Sequence, residues 1–250
     1  MRILLAEDTE INRQLALRLL ERTGHTVTLA SDGEDACARY LASPDAFDLI
    51  LMDLQMPRLN GVEATRRIRR HERECGGRTP ILALTANATA ERLAVCLAAG
   101  MDGGVSKPLD VHEVEAAVAR LTGTEPAPGR AASHESPVLG WEAALELVLG
   151  DEALLRDMAG LFLGRAGEML AEIEDTHTRG ATRELQRATH KLKGSVANFG
   201  AQRAIRACGQ VEAAAEAGDI ATAGEHLPAL RSAVEAVCTE LRRRMGETGA

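Results

Sequence analysis

The chain has 250 residues, of which 45% are hydrophobic and 26% are charged, so a wholly disordered or collagen-like chain is excluded. Its formal net charge of −8 and its 2% aromatic content argue against nucleic acid and anionic membranes as partners, which require basic patches or stacking rings. The five cysteines form no Cys-x-x-Cys pair and favour free thiols in a reducing compartment. The N-terminal apolar run is too short for a secretory signal, and no later run reaches the roughly 18 residues of a membrane span. We therefore expect a cytoplasmic protein.

The first half of the chain alternates short apolar runs with helical patterns, which is typical of an α/β domain with a parallel sheet. Strands are predicted at 3–6, 26–30, 47–52, 80–84 and 104–106, the last weakened by its glycine. Helices are predicted between and after them, at 10–23, 33–42, 61–73, 89–99 and 110–121. These elements predict a first domain over residues 1–122.

The second half has a different texture. Residues 123–139 contain three of the eight prolines and no apolar periodicity, which predicts a linker. Residues 140–246 place Ala, Leu, Glu and Arg at helical spacing and predict an all-α bundle. Helices are predicted at 141–149, 152–177, 182–198, 202–217 and 219–243, with breaks near Gly180, Gly200 and Gly218.

Polar residues follow four of the predicted strands, at the edge where open parallel sheets bind ligands. Glu7 and Asp8 follow the first strand and Asp53 follows the third. Thr85 and Lys107 follow the fourth and fifth strands. Three carboxylates in one place repel each other unless a cation lies among them, and hard oxygen ligands suit Mg²⁺. With a lysine and a hydroxyl beside them, such a pocket could hold a phosphoryl group against Asp53.

These residues resemble, in order and spacing, the receiver domain of two-component response regulators. The segment Leu51–Pro57, Gly61 and the pair Lys107-Pro108 also resemble this family in position. The resemblance covers the whole first domain and implies a flavodoxin-like, doubly wound five-stranded sheet. It implies that Asp53 accepts a phosphoryl group from a phosphohistidine, while Thr85 and Lys107 bind the phosphoryl oxygens. It also implies that Mg²⁺ is held by Glu7, Asp8, Asp53 and the backbone carbonyl of Gln55.

Gly104 departs from this resemblance. Receivers usually carry Tyr or Phe three residues before the lysine, where the ring turns inward on phosphorylation, and this chain has Gly104 there. We therefore hypothesise that phosphorylation here serves transfer more than a large surface rearrangement.

A histidine in the second half stands in a distinctive context. On a helix His190, Lys193 and Gly194 share one face. A reactive imidazole needs an exposed nitrogen, a nearby cation and no bulk above it, and Gly194 would supply the clearance. The chain has three lysines, Lys107, Lys191 and Lys193, and all lie in the two candidate sites. A compact ammonium suits a small phosphoryl pocket better than a wide guanidinium does.

The His190 segment resembles a histidine phosphotransfer (HPt) domain, which implies a four-helix bundle over residues 140–246. The resemblance makes His190 a second phosphoacceptor and Lys193 its charge partner. Together the two resemblances predict a phosphorelay protein that moves a phosphoryl group between Asp53 and histidines. They imply a sensor histidine kinase and a downstream response regulator as partners, with the direction of flow and the oligomeric state left open.

Three alternatives are weighed against this interpretation. The chain could be the C-terminal receiver and HPt portion of a hybrid sensor histidine kinase, and it carries no glycine-rich ATP loop of its own. An aspartyl-phosphate hydrolase of the haloacid dehalogenase type would need Asp-x-Asp after the first strand, where this chain has Glu7-Asp8-Thr9. A non-catalytic inhibitory module, in which the bundle masks the first domain, would take no phosphoryl group at all.

Overall fold

The computed structural model describes residues 1–85, 90–122 and 138–246. The chain divides into two compact units between residues 132 and 133. Most of the predicted linker, residues 123–137, lies outside the described part, so the linker stays a prediction. At its far end Leu139 is buried, and the Gly140 N–H donates to the Phe199 carbonyl, so the second unit is already packed there.

The first unit alternates strands and helices as predicted. All five predicted strands are confirmed, including the glycine-containing fifth. The third begins at Leu49, after a short 3₁₀ turn, Pro44–Ala46, and it ends on Asp53 itself. The elements are β1 (Arg2–Ala6), α1 (Glu10–Arg22), β2 (Thr26–Ala30), α2 (Gly33–Ala42), β3 (Leu49–Asp53), α3 (Gly61–Cys75), β4 (Ile81–Thr85), α4 (Ala90–Ala99), β5 (Gly103–Ser106) and α5 (Val111–Thr122).

The five strands form one parallel sheet in the order β2-β1-β3-β4-β5. Alternate side chains of β1, β3 and β4, such as Leu4 and Ile50, pack in one core with Tyr40 of α2 and Ile68 of α3. The intervening side chains, such as Leu5, are equally buried, so both faces of the sheet are covered. The doubly wound α/β fold is confirmed.

The strand order places the candidate site. The chain moves from β1 to β2 on one side and returns to β3 on the other, so β1 and β3 are neighbours at the point where the winding reverses. Their register pairs Ala6 with Met52. The residues that follow, Glu7 and Asp53, therefore emerge side by side at the carboxyl edge of the sheet.

The second unit is a helical bundle. Its four long helices are α7 (Glu152–Thr178), α8 (Thr182–Ala197), α9 (Gln202–Glu216) and α10 (Ile220–Met245). They close a ring, since α7 packs on α8, α8 on α9, α9 on α10, and α10 back on α7. Gly180, Gly200 and Gly218 all have positive φ angles at the three turns between these helices, as glycine allows at helix ends. The all-α prediction is confirmed. A shorter helix, α6 (Trp141–Leu147), precedes the four long ones.

The helix predicted at 219–243 continues through Pro228, which is tolerated inside α10 although it removes one backbone hydrogen bond. None of the helices in the described ranges combines the length and hydropathy that crossing a membrane requires.

Candidate functional sites

Three acidic side chains meet at the carboxyl edge of the sheet. Glu7 and Asp8 follow β1, and Asp53 is the last residue of β3. One carboxylate oxygen from each lies within 4.8 Å of the others. Glu7 and Asp53 are each only 2% exposed. The acids that the sequence analysis grouped are therefore brought together, and we call them the acidic pocket.

Lys107 enters the acidic pocket from the loop after β5. Its Nζ lies 2.6 Å from Glu7 Oε2 and 2.7 Å from Asp53 Oδ2, and its side chain is 8% exposed. The Lys107 backbone N–H donates to the Thr85 carbonyl at 2.8 Å, which ties this loop to the end of β4. Thr85 is buried as the last residue of β4. The binding of phosphoryl oxygens by the Thr85 hydroxyl stays a prediction.

Burial and neighbouring charge shape the ionisation of this pocket. Burial raises the pKa of Asp53 to about 6; Lys107 opposes this rise and the Glu7 charge adds to it. Burial disfavours the charged form of Lys107, but Asp53 and Glu7 outweigh it and raise the pKa of the ammonium. One lysine faces three carboxylates, so the pocket keeps an excess of negative charge that favours a bound cation.

The donor set fits Mg²⁺, because carboxylate oxygens are the hard ligands that this ion prefers. Glu7, Asp8 and Asp53 are the residues that would hold a cation. Gln55 lies beside them, since its backbone N–H donates to Asp53 Oδ1 at 3.1 Å. The predicted use of the Gln55 carbonyl as a ligand is an expectation that this contact accommodates but does not test.

Two residues of α1 that the sequence analysis missed support the pocket. Asn12 Nδ2 donates to Glu7 Oε1 at 3.3 Å. Arg13 donates to the backbone carbonyls of Glu7 and Asp8 at 3.1 and 3.5 Å. Their position one helical turn after the acids is the signal that could have indicated them, since side chains in the first turn of α1 reach back over the end of β1.

The second candidate site lies between α8 and α9. His190 Nδ1 is 2.7 Å from Glu212 Oε1, and Lys193 Nζ donates to Glu212 Oε2 at 2.9 Å. The prediction that His190 and Lys193 share one site is supported by this geometry. Lys193 contacts the histidine only through Glu212, however, and not directly.

His190 is less exposed than its predicted role suggested. The residue is only 8% exposed, and Glu212 of α9 contacts its ring through Nδ1. Within residues 1–85, 90–122 and 138–246, the Nε2 atom of His190 has no hydrogen-bond partner, and it is not fully buried. Nε2 is therefore the nitrogen that reaches solvent. Gly194 is buried on the same helix, and its role in providing clearance stays a prediction.

Glu212 is the functional candidate that the sequence analysis missed. Burial alone would raise the pKa of Glu212, but hydrogen bonds from His190 and Lys193 outweigh it and lower the pKa to about 2. Burial, with a smaller contribution from the Glu212 carboxylate, raises the pKa of the Cys208 thiol to about 12. A detectable signal existed, since Glu212 is a charged residue within the apolar stripe of α9 formed by Ala204, Cys208, Val211 and Ala215.

Comparisons with known proteins agree with both units. A family model of the response regulator receiver domain matches residues 3–119, and a model of the Hpt domain matches residues 157–240. The sensor histidine kinase AruS of Pseudomonas aeruginosa is 34% identical over 200 residues, which cover 80% of this chain and 19% of AruS. The signal transduction histidine-protein kinase BarA of Escherichia coli is 30% identical over 220 residues, which cover 85% of this chain and 24% of BarA. The chain thus spans a fifth to a quarter of the length of these relatives.

Solved structures resemble the first unit. The receiver domain of the sensor histidine kinase PA1611 from Pseudomonas aeruginosa is 38% identical, with a TM-score of 0.44. The match covers 49% of this chain and 98% of the PA1611 receiver domain. The chemotaxis protein CheY4 of Vibrio cholerae is 28% identical, with a TM-score of 0.43, over 48% of this chain and 96% of that chain. With the two family models and the two folds together, the chain belongs to the two-component signalling proteins that join a response regulator receiver domain to an Hpt domain, the domain composition of a phosphorelay protein.

Proposed function

We propose that this chain accepts a phosphoryl group on Asp53 from the phosphohistidine of a sensor histidine kinase, and exchanges it with His190 and a further response regulator. The observation that carries this proposal is the acidic pocket, in which Asp53 lies within reach of two other carboxylates and 2.7 Å from Lys107. Asp53 and His190 would thus be successive phosphoacceptors for one phosphoryl group.

At the receiver site, a carboxylate oxygen of Asp53 attacks the phosphorus. The P–N bond of the donor phosphohistidine breaks, and its electron pair returns to the imidazole nitrogen. Lys107, whose ammonium lies 2.7 Å from Asp53, would neutralise charge on a phosphoryl oxygen, and Thr85, the last residue of β4, would donate its hydroxyl to another. Mg²⁺, held by Glu7, Asp8 and Asp53, would supply the remaining positive charge when bound.

At the Hpt site, Glu212 determines which nitrogen reacts. A carboxylate can only accept a hydrogen bond, so Nδ1 of His190 carries the proton at this 2.7 Å contact. The lone pair is then on Nε2, which attacks the phosphorus of an aspartyl phosphate while the P–O bond electrons return to the carboxylate. The phosphorylated ring gains positive charge, which Glu212 stabilises, and Lys193 faces the same carboxylate at 2.9 Å.

We place this reaction in the cytoplasm. All five cysteines are free, which is typical of a reducing compartment. A phosphohistidine donor and an aspartate acceptor on other signalling proteins are the partners that the two domains fit.

Labelling tests the proposal directly. The full chain is incubated with ³²P-labelled acetyl phosphate and Mg²⁺, alongside Asp53→Asn and His190→Gln variants. We expect label on Asp53 in wild type and in His190→Gln, and none in Asp53→Asn. Mixing labelled His190→Gln with unlabelled Asp53→Asn should move label to His190. If label never leaves Asp53 in any mixture, the relay is wrong; if Asp53 takes no label at all, the inhibitory module is favoured.

A second candidate is that this chain is the receiver and Hpt portion of a hybrid sensor histidine kinase. It is supported by the relatives, kinases whose aligned segments cover 80 to 85% of this chain. Phosphotransfer profiling separates the two candidates. A panel of purified kinases is incubated with ATP and this chain for short times, and a strong kinetic preference for a separate kinase supports a free-standing relay protein.

A further inference from the structure

The loop that carries Lys107 is fastened by a contact outside the acidic pocket. Ser106, directly before the lysine, donates its backbone N–H and its hydroxyl to Oε2 of Glu113, at 3.0 and 2.5 Å. Glu113 lies in the first turn of α5 and is partly buried. One carboxylate oxygen therefore joins the end of β5 to the start of α5, across the four residues 107–110.

The position of β5 explains why this contact is needed. β5 is the edge strand of the sheet, and Lys107 N–H already bonds to Thr85 on β4. Neighbouring N–H groups of a strand point in opposite directions, so the Ser106 N–H points away from β4, on the side where the described residues form no further strand. Glu113 satisfies that donor. It also fixes the backbone from which the Lys107 side chain reaches Glu7 and Asp53.

We propose that Glu113 is a positioning residue for the phosphoryl site. By holding Ser106 through two hydrogen bonds, it sets the start of the Lys107 side chain, so that the ammonium reaches the acidic pocket and then an incoming phosphoryl oxygen. The inference rests on the proposed function of Asp53. Glu113 lies on α5, and among the described residues it makes no hydrogen bond or ion pair with Lys107 or with the three acids.

Loosening Lys107 has two effects of opposite sign. The ammonium pairs with Glu7 and Asp53, the same carboxylates that would hold a divalent cation, so weakening these pairs lets Mg²⁺ bind more tightly. The phosphoryl oxygens meanwhile lose a well-placed cation, so acceptance by Asp53 slows. A general loosening of the fold would instead weaken both Mg²⁺ binding and phosphorylation.

The test compares variants of the full chain. Glu113→Ala removes both hydrogen bonds, Ser106→Ala removes the hydroxyl bond alone, and Glu113→Gln keeps an oxygen that can accept both. Glu115→Ala, two residues along α5 with a side chain that is 54% exposed, is the matched control. Calorimetry measures the Mg²⁺ dissociation constant, and acetyl phosphate labelling at saturating Mg²⁺ measures the initial rate at Asp53.

We expect Glu113→Ala to label about tenfold more slowly than wild type while binding Mg²⁺ more tightly. The labelling rate of Ser106→Ala should lie between those of Glu113→Ala and wild type. Glu113→Gln should label at close to the wild-type rate. Unchanged labelling in Glu113→Ala, or a joint fall of rate and Mg²⁺ affinity that Glu113→Gln does not rescue, overturns the proposal. If Glu113→Ala does not fold, the proposal is tested by comparing Ser106→Ala, which should lose part of the labelling rate, with Glu113→Gln, which should keep most of it.

Failure of the proposed function looks different. In that case wild type itself takes no label at Asp53. The Mg²⁺ affinities of the variants would then still decide whether Glu113 holds Lys107, since tighter Mg²⁺ binding in Glu113→Ala requires no phosphoryl transfer.

Discussion

The two candidate sites both pair carboxylates with a lysine, but they treat the reactive group differently. In the receiver unit Lys107 contacts the proposed acceptor Asp53 directly, at 2.7 Å. In the Hpt unit Lys193 contacts Glu212 at 2.9 Å, and Glu212 stands between the lysine and His190. The lysine thus faces the proposed nucleophile itself in one unit and the partner of the proposed nucleophile in the other.

The difference shows how each site balances charge. The acidic pocket holds three carboxylates, and Lys107 pairs with two of them, so a dianionic phosphoryl group would be repelled there without a further cation. At the Hpt site one carboxylate faces one lysine and the His190 imidazole, which leaves no such excess of negative charge. The comparison predicts that Mg²⁺ is needed on the receiver side and that hydrogen-bond geometry is decisive on the Hpt side.

The largest effect is expected from Lys107→Ala. Removal of the ammonium takes away a preorganised cation from the phosphoryl oxygens, so labelling of Asp53 should slow by about a hundredfold. Initial rates with acetyl phosphate and saturating Mg²⁺ measure it. Lys191→Ala, which alters a lysine of the other unit, is the control. A Lys107→Ala protein that labels at the wild-type rate would show that the pocket does not use this lysine.

Glu212→Ala should have the next largest effect, on the Hpt side alone. Without the carboxylate, the imidazole loses the contact that keeps the proton on Nδ1, so transfer to His190 should slow by about ten- to a hundredfold. Rapid-quench measurements with a phosphorylated receiver give the rate, and ¹⁵N NMR reports the tautomer. Glu216→Ala, one turn along α9 and exposed, is the control. Equal rates in both variants would contradict the role of Glu212.

Acid should destabilise the Hpt unit through Glu212. Its pKa falls from 4.5 to about 2 in the folded state, so its stabilising contribution is complete above pH 4.5 and is lost as the pH falls through about 2. The loss should be on the order of 1–3 kcal/mol in the free energy of unfolding. Trp141 is the only tryptophan in the sequence and belongs to this unit, so its fluorescence follows the unfolding. Glu212→Gln should flatten the pH dependence, and an unflattened curve would assign it to other groups.

Local sequence patterns could group the acidic pocket with Lys107 but could not find the partner of His190, for a physical reason. Strand ends in a parallel sheet meet at one edge, so Glu7, Asp53 and Lys107 could be grouped from local patterns alone. Glu212 lies 22 residues from His190, and only the packing of α9 on α8 brings them together. No local periodicity fixes which faces of two helices meet. The partial burial of His190 was missed for the same reason.

Local sequence patterns also could not predict the start of the third strand or the contact between Ser106 and Glu113. The third strand begins at Leu49 rather than at residue 47, a boundary that apolar content alone does not indicate. Ser106 and Glu113 look like ordinary polar residues in sequence. Their contact depends on β5 being an edge strand, which is known only once the strand order is known.

Mg²⁺ should stabilise the receiver unit and leave the Hpt unit unchanged. Binding to the folded state at ten times the dissociation constant adds about 1.4 kcal/mol to the free energy of unfolding. Differential scanning calorimetry should show one transition moving to higher temperature, while the Trp141 fluorescence transition stays in place. Asp8→Asn should reduce the shift. A shift that appears in the Trp141 signal as well would break the proposed contrast between the two sites.

The smallest effect is expected around Gly104, where receivers usually carry an aromatic ring. A Cβ atom added at Gly104 would lie 3.5 Å from Leu93 Cδ1, so an aliphatic side chain of α4 packs over this position. Because Gly104 has no side chain to turn inward, phosphorylation has no ring with which to move α4. Adding beryllofluoride, a phosphoryl mimic, with Mg²⁺ should therefore shift amide NMR signals mainly around Asp53 and Lys107. Large shifts spread along α4, β5 and α5 would show that this receiver rearranges its surface without the aromatic ring.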